Sequence, residues 1–349
     1  MTRAAAAALA AILVLVLGGC GKTVRTREPD LSSQATPSPP PAAAKAPAKG
    51  PEGPSPRRRV RIAVVTHGQA SDPFWAVVRS GIVRAARELG VSATYMAPDT
   101  TDMARMRQLI RSAVASRPDG LVVSIPDAKA LAPAIREAVK ADIPVVSLNS
   151  GDDVSRRLGV LAHVGQPDED AGFAAGRRMA REGVRQALCV EHEQDNAGLE
   201  ARCRGFGRAI RRAGGNSQVL AINLQNRHAA EQKIASAAIE EHIDGMLTLG
   251  PGGTLPAIGG LRLDRLLGSV RLATFDLSPE VLSALRAGQV EFAVDQQPFL
   301  QGYLPIVFLT QYARYGLLPA RGTLVPTGPS FVTRKNASAV AALTRQGIR

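Results

Sequence analysis

From Val60 onward the chain repeats one pattern: a short β-branched run, an amphipathic stretch of 12–18 residues, then another short run. Strands spaced by helices cannot pair through tight hairpins. They pair in parallel, and the crossover helices cover both faces of the sheet. Strands are expected at Val60–Thr66, Ser92–Met96, Gly120–Ile125 and Pro144–Asn149, then at Gln186–Glu191, Gln218–Ile222, Gly245–Leu249 and Arg271–Phe275. Helical periodicity falls near 74–89, 102–117, 127–141, 168–182, 197–213, 228–241 and 278–287. The strands divide into two sets of four. Right-handed crossovers would make each set a doubly wound α/β lobe, with the loops at the carboxyl ends of its strands facing a crevice.

What precedes Val60 is different in kind. Arg3 is followed by an apolar run from Ala4 to Leu17, shorter than the roughly 20 residues that span a bilayer. It reads as the apolar region of a secretory signal. The run ends in Leu17-Gly18-Gly19-Cys20, which resembles the lipobox of bacterial lipoproteins. That resemblance implies that Cys20 is lipidated, palmitate included, and becomes the mature N-terminus, leaving the protein periplasmic or extracytoplasmic and anchored without spanning. The alternative is an ordinary cleaved signal with an incidental cysteine. No acidic residue follows Cys20, so the choice of membrane stays open. Residues 21–59 are rich in Pro, Ala, Ser and Lys and carry few large apolar side chains, the composition of a disordered tether. At about 3.1 Å per residue, such a tether reaches up to roughly 100 Å from the lipid.

The net charge of +13 misleads unless it is located. Residues 1–59 hold nine Lys/Arg and three Asp/Glu, leaving +7 scattered over 60–349. No basic stripe or reading motif for nucleic acid is present. The five histidines, at 67, 163, 192, 228 and 242, lack metal-ligand spacing. No G-x-S-x-G elbow occurs, and Gly250–Gly253 lacks the Lys-Ser/Thr of a phosphate loop. No enzyme, cofactor or metal is expected. Those glycines instead suit a backbone that borders the crevice without side chains. Cys189, on a strand, and Cys203, on the following helix, either bridge or remain buried thiols.

The most informative loop follows the first strand. Asp72-Pro73-Phe74-Trp75 opens a helix that Asp72 can cap and Pro73 can start. Yet the chain has only 13 aromatic residues and one Trp, and two of them stand side by side here. One ring fits a core easily; two neighbours do not. A flat ring stacks on the apolar face of a pyranose, and a nearby carboxylate accepts its hydroxyls.

With those residues the chain resembles the type I periplasmic sugar-binding proteins, the ribose-binding-protein-like family. Further segments match in the expected order: Pro144–Gly151 at a strand end, His163-Val164-Gly165 at a first crossing, and Leu199–Phe206 with the family's sugar-binding arginine. Thr274-Phe275-Asp276, Asp295-Gln296-Gln297-Pro298 and Thr327-Gly328-Pro329 complete the set. The similarity runs over about 60–335. It implies ligand contacts from Asp72, Phe74, Trp75, Asn149, Arg202, Asp276 and Gln296.

Each also has its own physical reading. Asn149 both donates and accepts, and Arg202 offers a rigid fork of donors, unless it serves a helix-surface salt bridge. Asp276 either contacts ligand or caps the next helix, and Gln296 either contacts ligand or satisfies backbone at the crossing. Leu249–Gly253 departs from the family, since ribose binders carry an asparagine and an aspartate there. His192, Glu193 and Asp195 are replacement candidates against the default of a solvated loop, with Asn226 and Arg227 weaker ones.

The resemblance implies an N-terminal lobe of 60–163 plus 297–325, a C-terminal lobe of 164–296 plus 326–349, and three crossing strands as a hinge. The expected function is capture of a sugar or polyol between the lobes for an ABC importer. Its permease would be the membrane partner, and the chain would act as a monomer. A sensory input protein for a chemotaxis or kinase receptor is the rival, as is a nucleoside or furanosyl signal ligand. A sugar-responsive regulator would need a DNA-reading helix-turn-helix where the signal and tether stand.

Overall fold

The computed structural model describes residues 59–68, 72–319 and 321–349. The expected signal, the lipobox cysteine Cys20 and the tether up to residue 58 lie outside the described residues. The chain runs β1 (Arg61–Val65), α1 (Pro73–Leu89), β2 (Ser92–Met96), α2 (Met103–Ala115), β3 (Gly120–Val123), α3 (Ala128–Lys140), β4 (Val145–Leu148) and β5 (Ala162–Gly165). It continues as α4 (Asp168–Arg181), β6 (Gln186–Glu191), α5 (Ala197–Arg212), β7 (Asn216–Ala221), α6 (Arg227–Glu240), β8 (Gly245–Thr248), α7 (Pro251–Leu263), β9 (Arg271–Phe275), α8 (Pro279–Arg286) and β10 (Phe292–Asp295). Four elements close it: α9 (Pro298–Tyr315), β11 (Thr323–Pro326), β12 (Ser330–Thr333) and α10 (Ala337–Arg345).

These strands form two six-stranded sheets of the same order, β11-β5-β4-β3-β1-β2 and β12-β10-β9-β8-β6-β7. Every pairing is parallel except β10 with β12. Each sheet is therefore larger than the four strands expected. The added strands β5, β10, β11 and β12 are four residues long and mix apolar with polar residues, so they carry little periodicity of their own. Helices α7 and α9 escaped the helical pattern for another reason: Pro256 and Pro305 interrupt them and apolar residues surround their axes, which blurs the amphipathic stripe.

The interior strands are buried on both faces, which is why β3 is an unbroken apolar run and β4 is apolar but for Ser147. In the first lobe α1 packs with α9 and α2 with α3, each pair over its own apolar cluster. In the second, α4 packs with α5 and α6 with α7. The chain passes between sheets three times, at 166–167, 296–297 and 327–329. Among the described residues no helix is long and apolar enough to cross a membrane.

Two local features fix the second lobe beside the crevice. Helices α4 and α5 approach so closely that a side chain at Gly172 would collide with the Arg202 carbonyl, and one at Gly205 with that of Glu169. A disulfide also joins Cys189 of β6 to Cys203 of α5, their Cα atoms 5.7 Å apart. Both constraints act on the turn of α5 that carries Arg202.

Candidate functional site

A cavity of about 800 Å³ lies between the lobes, lined by loops at the carboxyl ends of strands from both sheets. On the first lobe, Asp72 caps α1 by accepting the Phe74 N–H at 2.8 Å, and Pro73 starts the helix. That cap aims the next two side chains at the β1 end. Phe74 and Trp75 meet edge to face at 5.1 Å, and Trp75 meets His67 the same way at 4.9 Å. His67 is held by Ser124, whose hydroxyl lies 2.8 Å from its Nδ1. Both rings of the pair are buried in the α1 core and both border the cavity. The expectation that two neighbouring rings do not easily both enter the core is therefore corrected: packed edge to face, they share one wall, core behind and cavity in front.

Asn149 sits just beyond β4 with φ of 62°, in the left-handed region. Asp276 sits just beyond β9 with φ of 62°, the corresponding place in the second sheet. Asn and Asp tolerate that conformation better than other side-chain-bearing residues, and each here borders the cavity. Ser278, rather than Asp276, caps α8, so the capping role weighed for Asp276 falls away.

Gln296, at the second crossing, links the two sides. Its Nε2 donates to Asp276 Oδ1 at 2.7 Å, while its Oε1 accepts from Gln301 at 2.9 Å and from Asn149 at 3.4 Å. Arg202 lies within 3.5 Å of the same oxygen, donates to Asp168 Oδ1 at 2.8 Å and stands 4.6 Å over the Phe275 ring. Its surroundings are not those of a helix-surface salt bridge, because both members of the pair are buried.

Burial sets the electrostatics. It pushes Asp276 up to about 7, against the pull of Arg202 and the Gln296 amide. It pushes Asp72 up to about 6, against the Phe74 N–H. Burial opposes the charge on Arg202, but the carboxylates of Asp168, Asp276 and Glu193 outweigh it and raise the guanidinium further. His67 and His192 are lowered by burial and so stay neutral at pH 7. The cavity thus offers a buried guanidinium, carboxyl groups that titrate near neutrality, amides and imidazoles. This set gives and receives hydrogen bonds with hydroxyls and presents no metal cage: among the described residues no cluster of metal-ligating side chains forms.

Asp72, Phe74, Trp75, Asn149, Arg202, Asp276 and Gln296 all line the cavity, as do His192 and Glu193. Asp195 does not. It is exposed with φ of 64°, in the turn that presents Asn196 to the cavity and to the α5 N-terminus. Arg227 does not either: it is exposed and paired with Glu231 at 2.7 Å, and Asn226 caps α6. The loop before them takes that place, through Asn223, Leu224 and Gln225. Thr100, Thr101, Ser150, Asn196 and Lys233 also border the cavity and were missed from the sequence. Their common signal is position, since most lie within a few residues after a strand end.

Residues 62–316 match the family model described as a periplasmic binding protein domain. Among solved structures, the chain is similar to a carbohydrate transporter from Acidothermus cellulolyticus 11B in complex with myo-inositol. The two are 36% identical with a TM-score of 0.78, covering 83% of this chain and 100% of that one. It is also similar to a periplasmic sugar-binding protein of an ABC sugar transporter from Legionella pneumophila, 26% identical with a TM-score of 0.71, over 77% of this chain and 100% of that one. Among curated proteins, the xylose/arabinose-binding protein XylF of Sulfolobus acidocaldarius is 24% identical over 294 residues, 79% of this chain and 71% of the relative.

Proposed function

Because this chain belongs to the periplasmic binding protein domain family, we propose that it is an extracytoplasmic solute-binding protein that captures a sugar or cyclic polyol and delivers it to an ABC importer. The observation that carries the reading is the composition of the cavity: a wall of Phe74 and Trp75 on one lobe faces Arg202 and Asp276 on the other. An apolar ring face with hydroxyls at its edge matches both. Relatives named for a bound cyclitol and for pentoses support that ligand class.

The mechanism follows from where the contacts lie. With the first lobe taken as 60–163 plus 297–325 and the second as 164–296 plus 326–349, a ligand meets its full set of partners only when the lobes are closed. Binding shifts the population toward closure by its differential affinity for the two states. The importer's permease then reads the closed shape. The protein acts as a monomer, tethered through lipid on Cys20 by the segment 21–59.

Titration calorimetry of the purified full chain against myo-inositol, D-xylose, L-arabinose and D-ribose tests the reading. One of them is expected to bind with one site per chain. Failure of all four, and of a wider panel of hexoses and polyols, overturns it.

A further inference from the structure

The cavity is too large for one ring. A monosaccharide of roughly twelve non-hydrogen atoms, even at the ~30 Å³ that each water takes in the liquid, fills at most about 360 Å³. The cavity holds about 800 Å³, so more than half of it lies beyond a single sugar.

The remaining space has its own chemistry. The inner end is buried and holds Asn149, Arg202, Asp276 and Gln296. The outer end is exposed: Thr100 and Thr101 follow the edge strand β2 of the first sheet, Asn223, Leu224 and Gln225 follow β7, the corresponding edge strand of the second, and Lys233 lies on the next helix. Among the described residues Leu224 is one of ten large apolar side chains left exposed and borders the cavity, and it lies against the first turn of α7. A Cβ at Gly252 would come within 2.9 Å of its Cδ1, so the bare glycine makes that seat. An exposed apolar surface flanked by two amides and two hydroxyls suits a second sugar ring, its C–H face on Leu224 and its hydroxyls on the amides.

The bonds that close the cleft leave this end free. Away from the three crossings, the described hydrogen bonds between lobes are Ala197 N–H to Pro126 C=O at 3.0 Å and the Asn196 amide with His67 at 3.5 Å. Both lie at the start of α5. Among the described residues no hydrogen bond joins Thr100 or Thr101 to residues 223–225. A ligand extending that way does not prevent closure at the other side.

We propose that the outer chamber is a second sugar subsite and that the preferred ligand is a two-ring glycoside, a disaccharide or a cyclitol glycoside, rather than a single ring. This rests on the sugar-binding reading above. Calorimetry of the full chain with matched pairs separates the two: D-xylose against xylobiose, D-glucose against maltose and cellobiose, and myo-inositol against galactinol. At least one two-ring ligand is expected to bind tenfold or more tighter than its single-ring component. In the double variant Leu224→Ala/Gln225→Ala, both positions being exposed, the two-ring affinity should fall at least fivefold while the single-ring affinity changes less than twofold. Single rings that bind while no two-ring ligand binds tighter overturn the subsite and leave the sugar-binding reading intact, as does a two-ring advantage that survives the double variant. Absence of binding by every member of the panel overturns the sugar-binding reading itself, and the subsite with it.

Discussion

The two lobes share a strand order and place a left-handed polar residue at the same point, Asn149 after β4 and Asp276 after β9. Their chemistry differs. The first lobe brings rings and neutral polar groups, with Asp72 as its single carboxylate in the wall; the second brings Arg202, Asp276 and Glu193. The repeated fold decides where a side chain reaches the crevice, and residue type at those few positions decides what it does there. On the proposed function, one lobe would serve as a wall for the flat face of a ring and the other as a charged clamp for its edge.

The largest effect expected on that contrast comes from the clamp. Arg202→Ala strands the buried Asp168 carboxylate, so the fold should lose about 3–5 kcal/mol and sugar binding should vanish. Chemical denaturation and calorimetry read the two losses separately. On the wall side, Trp75→Ala leaves a void in the α1 core, because the ring is only 4% exposed. The sequence alone suggests that this variant keeps its fold intact. With the ring packed as it is, the change should cost about 3 kcal/mol of stability besides weakening ligand at least tenfold, whereas Trp75→Phe should recover most of the stability. Unchanged affinity in Trp75→Ala removes the ring from the site.

The disulfide offers a way to loosen one lobe only. Its cysteines are 14 residues apart, a loop for which chain entropy gives about 3 kcal/mol at most. Cys189→Ala/Cys203→Ala should lower the melting temperature. It should also weaken binding by about threefold through Arg202, a change small enough on the scale of tenfold per 1.4 kcal/mol to need calorimetry. Equal affinity with and without the bridge would show that glycine packing of α4 on α5 suffices to place Arg202.

The contrast also predicts a dependence on pH. Asp276 titrates at about 7 and Asp72 at about 6, against an ordinary 3.8. Between those limits the folded chain binds more protons than the unfolded one, so stability is fully present at the acid end and is lost as pH rises through about 7. A hydroxyl donating to Asp276 favours the ionised form, so affinity runs the opposite way and tightens by up to about fivefold from pH 6 to 7. Denaturation midpoints and calorimetry at pH 5 to 8 check both signs, and Asp276→Asn should flatten the affinity profile.

Legibility followed the same division. The strands Ser92–Met96, Gln186–Glu191 and Arg271–Phe275 stand where the sequence pattern puts them; the last two are buried along nearly their whole length and so are largely apolar, and the half-exposed edge strand Ser92–Met96 is marked by its short run between two helical stretches. The four-residue strands β5, β10, β11 and β12 hold too little pattern to be read, and α9 hides because its sequence is apolar around most of its axis. Around the cavity, residues with unusual chemistry for their position, such as adjacent Phe74 and Trp75 or the strand-end Asn149 and Asp276, stood out. Thr100, Asn223 and Lys233 did not, since an exposed Thr, Asn or Lys in a loop looks like any other. Asp195 and Arg227 show the reverse error. Both have suitable chemistry and follow a strand, but a left-handed turn and an ion pair with Glu231 keep them out of the cavity.

The most direct test of the wall and clamp uses a probe already in place, because Trp75 is the only tryptophan in the chain. Tryptophan emission is followed while the full chain is titrated with myo-inositol, D-xylose and their glycosides. A ligand seated against Trp75 should shift or quench emission saturably, at the same midpoint as the heat, and Arg202→Ala should abolish both. Heat of binding with no change in emission would place the ligand away from this wall and contradict the account.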